Sequence, residues 1–390
     1  MIDTLDAPWM HRDDIAALVA ALGHDNVRYV GGAVRDTLLG LPVKDIDMAT
    51  VLHPQAVIER LTAAGIRGVP TGIEHGTVTA VLPGGPVEIT TLRHDVSTDG
   101  RRATVAFAQD WREDAARRDF TINALYADPL TGEIFDWFGG REDLESRRVR
   151  FIGDARQRIR EDHLRILRYF RFQARFGGSA ADDEAESACA ELAATLKGLS
   201  RERVGMETMN LLGLPDPAPT VQRMAELGVL AVILPEADPE SLTALVAAET
   251  AQGRAPDPIR RLAALLPAQP ALAEQVAARF RLSTAQKKRL SLAAAREGAP
   301  GNARTLAYRL GRESALDRLL IAGADTATLN GWDIPQLPLK GGQIVARGTA
   351  AGPDVARILQ EVKDAWIEEG FPDEVRVEAL LDAILAARPA

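Results

Sequence analysis

Tyr29-Val-Gly-Gly-Ala-Val-Arg-Asp36 runs into Leu39-Gly-Leu-Pro-Val-Lys-Asp45-Ile-Asp47. The order of residue types predicts a strand, a double-glycine turn, a short helix and a second strand that carries two carboxylates. Gly31 and Gly32 let the backbone approach an anion that any Cβ would hold off. The helix that follows points free N–H groups at the same place. Arg35 adds a permanently charged planar fork suited to phosphate. Asp45 and Asp47 fall on one face of the strand, roughly 6–7 Å apart along it. Two hard oxygen ligands at that spacing can share divalent cations. Taken singly, Gly-Gly before a helix is a tight turn, and Asp-x-Asp is a solvated strand edge. Together, in strand–turn–helix–strand order, they predict a nucleoside triphosphate site. Neither the P-loop nor the dinucleotide fingerprint is present.

This stretch resembles the first motif of the class II nucleotidyltransferases, which comprise the bacterial and mitochondrial tRNA CCA-adding enzymes and the bacterial poly(A) polymerases. The resemblance implies an α+β N-terminal nucleotidyltransferase head with a small mixed β-sheet, followed by an all-α neck, body and tail. The expected bounds are 1–150 for the catalytic head, 151–200 for the neck, 201–300 for the body and 301–390 for the tail. It also implies Mg²⁺ at Asp45 and Asp47, tRNA as partner, and CTP and ATP as substrates.

Further segments carry the same resemblance. Val87-Glu-Ile-Thr-Thr-Leu92 resembles the family strand that supplies a third carboxylate, a role falling here on Glu88. Its apolar neighbours predict a buried strand, in which a lone carboxylate is costly without a metal or an arginine. If instead the strand lay at an edge, Glu88 would face solvent. The segment 93–111, with Asp99-Gly-Arg-Arg102 and Gln109-Asp-Trp111, resembles the flexible loop that helps switch from adding C to adding A. Arg117-Arg-Asp-Phe-Thr-Ile-Asn-Ala-Leu125 is similar to the second motif. There the resemblance implies Arg118 on phosphate and Asp119 on a ribose hydroxyl, while Phe120, Ile122 and Leu125 pack.

Glu161-Asp-His-Leu-Arg165-Ile-Leu-Arg168-Tyr-Phe-Arg171 resembles the nucleotide-selecting helix. Asp162 and Arg165 at i,i+3 are expected to share a helical face. A carboxylate accepts from the exocyclic amine of cytosine or adenine, and a guanidinium donates to the ring acceptor beside it. Uracil and guanine set a carbonyl against the carboxylate. Buried polar groups are then left unpaired, and selectivity of order 10⁴ is attainable. Arg168 and Arg171 continue toward the triphosphate. His163 receives no role.

The 390-residue chain is long enough for two or more domains. Its 46% hydrophobic and 26% charged residues are those of an ordinary globular protein. Cys189 is its one cysteine, which argues against disulfide scaffolds and cysteine zinc sites and suits a reducing cytoplasm. The N-terminus lacks a basic-then-apolar leader, and no apolar run has membrane-spanning length. No obligate protein partner is evident. The net charge of −9 argues mildly against nucleic acid, yet residues 147–175 hold ten arginines against three acids. That stripe is expected to bind anions.

Val78–Leu82 and Val87–Leu92 read as strands around Pro83-Gly-Gly-Pro86, and Glu133–Phe138 as another. Asp13–Leu22 and Pro54–Ala64 read as amphipathic helices, and Glu161–Phe176 as one continuous helix. Beyond about 150 the strand signals vanish, and Pro/Gly breaks separate long helices. Glu202–Glu207, Met224–Glu236 and 339–366 resemble RNA-binding neck, body and tail segments. The expected activity is template-independent CCA addition. An A-adding sibling and a poly(A) polymerase remain alternatives, the latter disfavoured because no long basic tail closes the chain. A non-catalytic RNA-binding protein would lack the carboxylates. With no histidine after His163, a carboxy-terminal His-Asp phosphohydrolase domain is not expected.

Overall fold

The computed structural model describes residues 4–72, 76–99, 102–108, 110–179, 181–296 and 301–388. The chain divides at one point into two units, Met1–Pro235 and Glu236–Ala390. Among the described residues every strand lies in the first. The expected head, neck, body and tail are a finer division than this one.

In the first unit the strands are β1 (Val27–Val30), β2 (Ile46–Thr50), β3 (Arg67–Gly72), β4 (Thr77–Leu82), β5 (Gly85–Thr91), β6 (Arg93–Asp99), β7 (Arg102–Phe107), β8 (Tyr126–Ala127) and β9 (Ile134–Phe135). Seven of them form one sheet in the order β3-β4-β5-β2-β1-β8-β9. All its pairs are antiparallel except β2 with β5. β6 and β7 make a separate antiparallel pair over the segment read as a flexible loop. Gly100, Arg101 and Gln109 of that segment lie outside the described residues.

Sequence periodicity placed the local elements well. Helix α1 (Asp13–Leu22) has the expected bounds, and α3 (Pro54–Ala63) ends one residue early. Between them α2 (Gly32–Leu38) leaves the glycine turn, and its Ala33 and Val34 are buried. Ile15, Leu18, Leu22, Val57 and Leu61 are all buried, so the apolar stripes of α1 and α3 supply core. The Val78 and Val87 segments form the predicted hairpin, with Leu82 opposite Gly85.

Four expectations are corrected. The strand read over Glu133–Phe138 shrinks to Ile134–Phe135, because the Asp136 carboxylate accepts the N–H groups of Phe138, Gly140 and Arg141 and turns the chain. Glu88 is neither buried nor on an edge. β5 is an interior strand whose Val87, Ile89 and Thr91 point into the core while Glu88 projects from the open face. The helix read from Glu161 is broken: α6 (Ala155–Glu161) stops, Asp162 is extended at φ −149°, and α7 (Arg165–Phe176) begins afresh. The Asp162 side chain accepts from Leu164 N–H at 3.1 Å, an Asx turn that competes with helix continuation. Asp162 and Arg165 therefore do not share a helical face. The arginine stripe is also mostly neutralised. Arg148, Arg150, Arg156, Arg158, Arg165, Arg168, Arg171 and Arg175 are all ion-paired within the protein. Among the described residues only Arg147 and Arg160 of the ten have no such partner, so composition overstated the free positive charge.

The first unit continues through α4 (Trp111–Ala116), α5 (Gly140–Glu145), α8 (Asp183–Leu192) and α9 (Arg201–Leu212) to two short helices before Pro235. Cys189 is buried, as expected of a small core residue. The second unit is helical throughout its described length. One of its cores gathers Leu339, Ile344, Ile358, Val362 and Leu381 around Trp366, whose indole N–H donates to Pro372 O at 2.8 Å. Another part buries charge. Arg260 and Arg261 meet Glu249, while Arg260 and Arg289 meet Asp317. Such pairing is what burial of these groups requires. Among the described residues, no helix is long and apolar enough to cross a membrane.

Candidate active site

The parallel register of β2 and β5 sets Asp47 directly beside Glu88. Neighbouring strands lie about 4.8 Å apart, so both side chains rise from one face as close neighbours. Asp45 stands two residues earlier and exposed, just ahead of β2 rather than within it. Burial and then the Glu88 charge push the Asp47 carboxyl up to about 6; Asp45 adds to the push and the nearby Arg118 cation opposes it. The three acids and Arg118 thus share one electrostatic neighbourhood.

Among the described residues, no three His, Cys, Asp or Glu side chains converge closely enough to hold a metal by themselves. Glu88 is a neighbour of Asp47 and not the third member of a closed cage. The donor set nevertheless fits one kind of ion. A small hard divalent cation keeps several waters and takes one or two carboxylates plus substrate phosphates. It would also relieve the repulsion that raises Asp47.

Gly31 ends β1 at φ +67°, ψ −119°, a conformation unfavourable to any side chain. Its N–H donates to Leu125 O at 3.1 Å. A Cβ added there would lie 3.4 Å from Arg118 Nη1. Arg118 donates through Nε to the Tyr126 hydroxyl at 3.0 Å and through Nη2 to Asp114 at 3.3 Å. The remaining arm of its fork therefore faces the glycine turn. Gly31→Ala is expected to cost of order 1–3 kcal/mol of stability through backbone strain and to raise the KM for nucleotide about tenfold by filling this space. Thermal melting and steady-state kinetics check it; an unchanged KM would remove the turn from the site.

Arg35 is placed differently from the expectation. It is buried behind the turn, donates to Asp36 at 2.8 Å and to Asn123 Oδ1, and lies 4.1 Å over the Phe176 ring. Its fork is committed to the protein. Asp119, the expected ribose acceptor, is also engaged. It accepts from Phe120 N–H at 2.9 Å, from Asn123 Nδ2 at 3.0 Å, and from Arg168 at 2.8 and 2.6 Å. Burial pushes its carboxyl up, but Arg168 and these donors outweigh burial and hold it below the usual carboxylate range. Phe120, Ile122 and Leu125 pack in the core, Phe120 against Phe151 and Phe172.

The segment 161–171, expected to select the nucleotide, divides among several partners. Arg165 donates to Glu161 at 2.6 Å and to Arg158 O at 2.8 Å. Arg171 meets Glu207 at 2.6 Å, and Arg168 lies 3.7 Å from the same carboxylate. Asp162 accepts from Arg203 at 2.7 Å. Asp162 and Arg165 touch each other only through the main chain, where Arg165 N–H meets Asp162 O at 2.9 Å.

Sequence reasoning missed the supporting residues. Asp114 is 1% exposed and gathers Arg117, Arg118 and the Tyr126 hydroxyl. Its spacing three and four residues before two arginines was a readable signal. Asn123, which joins Arg35 to Asp119, sits inside the second motif. Arg203 and Glu207 fall in a segment that the sequence marked only as resembling an RNA-binding neck, and their partners lie 41 and 36 residues away.

Acids on adjacent interior strands, beside a glycine turn lined by an arginine, define a nucleotidyltransferase head within the first unit. Residues 27–150 match the family model of the poly A polymerase head domain, and 181–241 that of a probable RNA and SrmB-binding site of polymerase A. The chain is 33% identical over 382 residues to the mitochondrial CCA tRNA nucleotidyltransferase 1 of Mus musculus, spanning 92% of this chain and 86% of that one. With the CCA-adding enzyme of Geobacillus stearothermophilus it shares 40% over 222 residues, 56% of this chain and 54% of the relative. The crystal structure of the Bacillus stearothermophilus CCA-adding enzyme in complex with CTP superposes with a TM-score of 0.73 at 27% identity, over 96% of this chain and 98% of that one. The chain belongs to the CCA-adding tRNA nucleotidyltransferase family.

Proposed function

We propose that this protein builds CCA on the 3′ end of tRNA from CTP and ATP, without a nucleic-acid template, in the cytoplasm. The observation that carries the reading is the Asp47–Glu88 register beside the Gly31 turn and Arg118. Family membership supports the substrate class.

The tRNA 3′-hydroxyl attacks the α-phosphate; the new P–O bond forms as the bond to pyrophosphate breaks. Gly31, Gly32 and the open arm of Arg118 receive the triphosphate. Arg35 holds the turn from behind. Asp119 sets the orientation of Arg168, and Glu207 that of Arg171. Asp162 accepts from the exocyclic amine of C or A, while Arg165 donates to the ring acceptor beside it. Asp45 and Asp47 would hold Mg²⁺, with Glu88 as neighbour. Held there, divalent ions would supply activation of the attacking hydroxyl and charge neutralisation for the leaving pyrophosphate. We assign catalysis to 1–150, nucleotide selection to 151–200, and RNA binding to 201–300 and 301–390.

Removal of the cation tests this. Labelled CTP incorporation into a tRNA transcript lacking CCA should fall below detection in excess EDTA and return with Mg²⁺. Incorporation that persists in EDTA would contradict the assignment of Asp45 and Asp47.

A further inference from the structure

We propose that Arg28 is a positioning residue for Arg118, acting through Trp111 and Tyr126 so that the open arm of the Arg118 fork stays aimed at the triphosphate. The inference rests on the reading of Arg118 as a phosphate-binding group.

Arg28 lies on β1 opposite Ala49 of β2, the strand that carries Asp47. Its guanidinium is stacked between two rings. Cζ lies 3.6 Å from the Phe135 ring centroid and 4.4 Å from that of Trp111. Nη1 is buried and has no hydrogen-bond partner. Burial holds the guanidinium pKa below its usual value, opposed by the charges of Asp128 and Glu133. A desolvated cation of this kind is held chiefly by the ring faces. The stack therefore fixes Trp111 as much as it fixes Arg28.

Trp111 opens α4, whose six residues are too few to hold a helix without outside anchors. The Trp111 ring meets Tyr126 edge-on, with centroids 6.1 Å apart. The Tyr126 hydroxyl accepts from Arg118 Nε at 3.0 Å and donates to Asp114, which also accepts from Arg118 Nη2 at 3.3 Å. Two groups thus aim the Arg118 fork. Trp111 bears on both, packing against Tyr126 and starting the helix that carries Asp114. Without the Arg28 stack Trp111 is free to tilt, α4 loosens at its first turn, and the fork loses its aim. Substrate phosphate is then gripped less well, while the acids on β2 and β5 keep their places.

The test uses the full chain, a tRNA transcript ending at the discriminator base, and tripolyphosphate as a competitor that carries neither base nor sugar, with Mg²⁺ in excess of it. Arg28→Met keeps the length of the side chain and removes the charge. It is expected to raise the Ki of tripolyphosphate and the KM for CTP about tenfold each, with kcat within about threefold of the parent. Arg28→Lys should recover part of both, because an ammonium can still sit over the ring faces. In a Trp111→Leu background, Arg28→Met should add less than about twofold, because the two side chains act as one unit. A residue that merely stabilised the sheet would lower the melting temperature, leave the Ki where it was and add independently to Trp111→Leu. Arg118→Met is measured in parallel. If it raises the Ki and Arg28→Met leaves it within about twofold of the parent, the positioning role is overturned and the reading of Arg118 stands. If Arg118→Met itself leaves the Ki intact, that reading fails and the proposal with it. Should Arg28→Met fail to fold, Trp111→Phe, which keeps a smaller ring beside the guanidinium, decides on the same Ki: a rise of about threefold supports the proposal and an unchanged value overturns it.

Discussion

Asp47→Asn should abolish turnover while making the cation-free protein more stable. The substitution keeps the shape of the side chain and removes one of the two carboxylates proposed to hold Mg²⁺. Loss of a ligand for the ion that stabilises both entering and leaving oxygens is expected to lower kcat by at least about 10³-fold. Binding of tRNA should stay within a few-fold, because Asp47 faces the sheet's own acidic neighbours Asp45 and Glu88. The stability effect has the opposite sign. The folded pKa of Asp47 is raised from 3.8 to about 6, first by burial and then by Glu88. The folded state therefore holds the extra proton between these values, and stability falls as pH rises through that window. Asparagine carries no charge and escapes this loss. At pH 8 the gain is at most about 3 kcal/mol, vanishing below pH 4. Melting curves in EDTA at both pH values, with activity in Mg²⁺, check the pair of effects. A variant that loses stability at pH 8, or keeps more than a tenth of its activity, would separate Asp47 from the chemistry.

Asp162→Ala should leave an enzyme that adds nucleotides with little regard for the base. The parent is expected to reject UTP against CTP by order 10⁴, since a carboxylate meets the uracil carbonyl with repulsion and leaves it unpaired. Alanine neither accepts nor repels. The discrimination should fall to order 10, with CTP itself used about a hundredfold less well through loss of one charge-assisted hydrogen bond. The same change removes the Asx bond to Leu164 and the partner of Arg203. A stability loss of about 1 kcal/mol is expected with it. The ratio of kcat/KM values is insensitive to that loss, which makes it the quantity to measure. Selectivity unchanged in the variant would end the argument that side chains replace the template.

Much of the fold was legible because it is written locally. The helix at Asp13–Leu22 follows from its apolar spacing and acidic first turn, and the β4–β5 hairpin from its Pro-Gly-Gly-Pro centre. Gly352-Pro353 opens the helix Pro353–Glu368 as Pro at a first turn should. The failures were of another kind. Asp162 fits a helical pattern by spacing, yet its side chain competes for the backbone and breaks the helix there. The apolar neighbours of Glu88 made it look buried, because the sequence does not reveal which face of an interior strand stays open.

The site divides in the same way. The glycine turn, the acids and the arginine motifs stand in short runs and could be named from the chain. Their partners could not. Asp119 meets Arg168, Arg171 meets Glu207 and Asp162 meets Arg203 only after α7 and α9 pack. For that reason a run of ten arginines looked like an anion-binding stripe when most of it is structural. Arg35 shows the same limit, since a residue read as gripping phosphate is folded inward to Asp36 and Asn123.

The most direct test of the central claim is the length and sequence of the product. A tRNA transcript ending at the discriminator base is incubated with Mg²⁺ and labelled CTP or ATP, separately and together. The account predicts two C residues from CTP alone, three nucleotides reading CCA from both, and then arrest. Incorporation restricted to a transcript already ending in CC, or a long ladder of A from ATP alone, would contradict it.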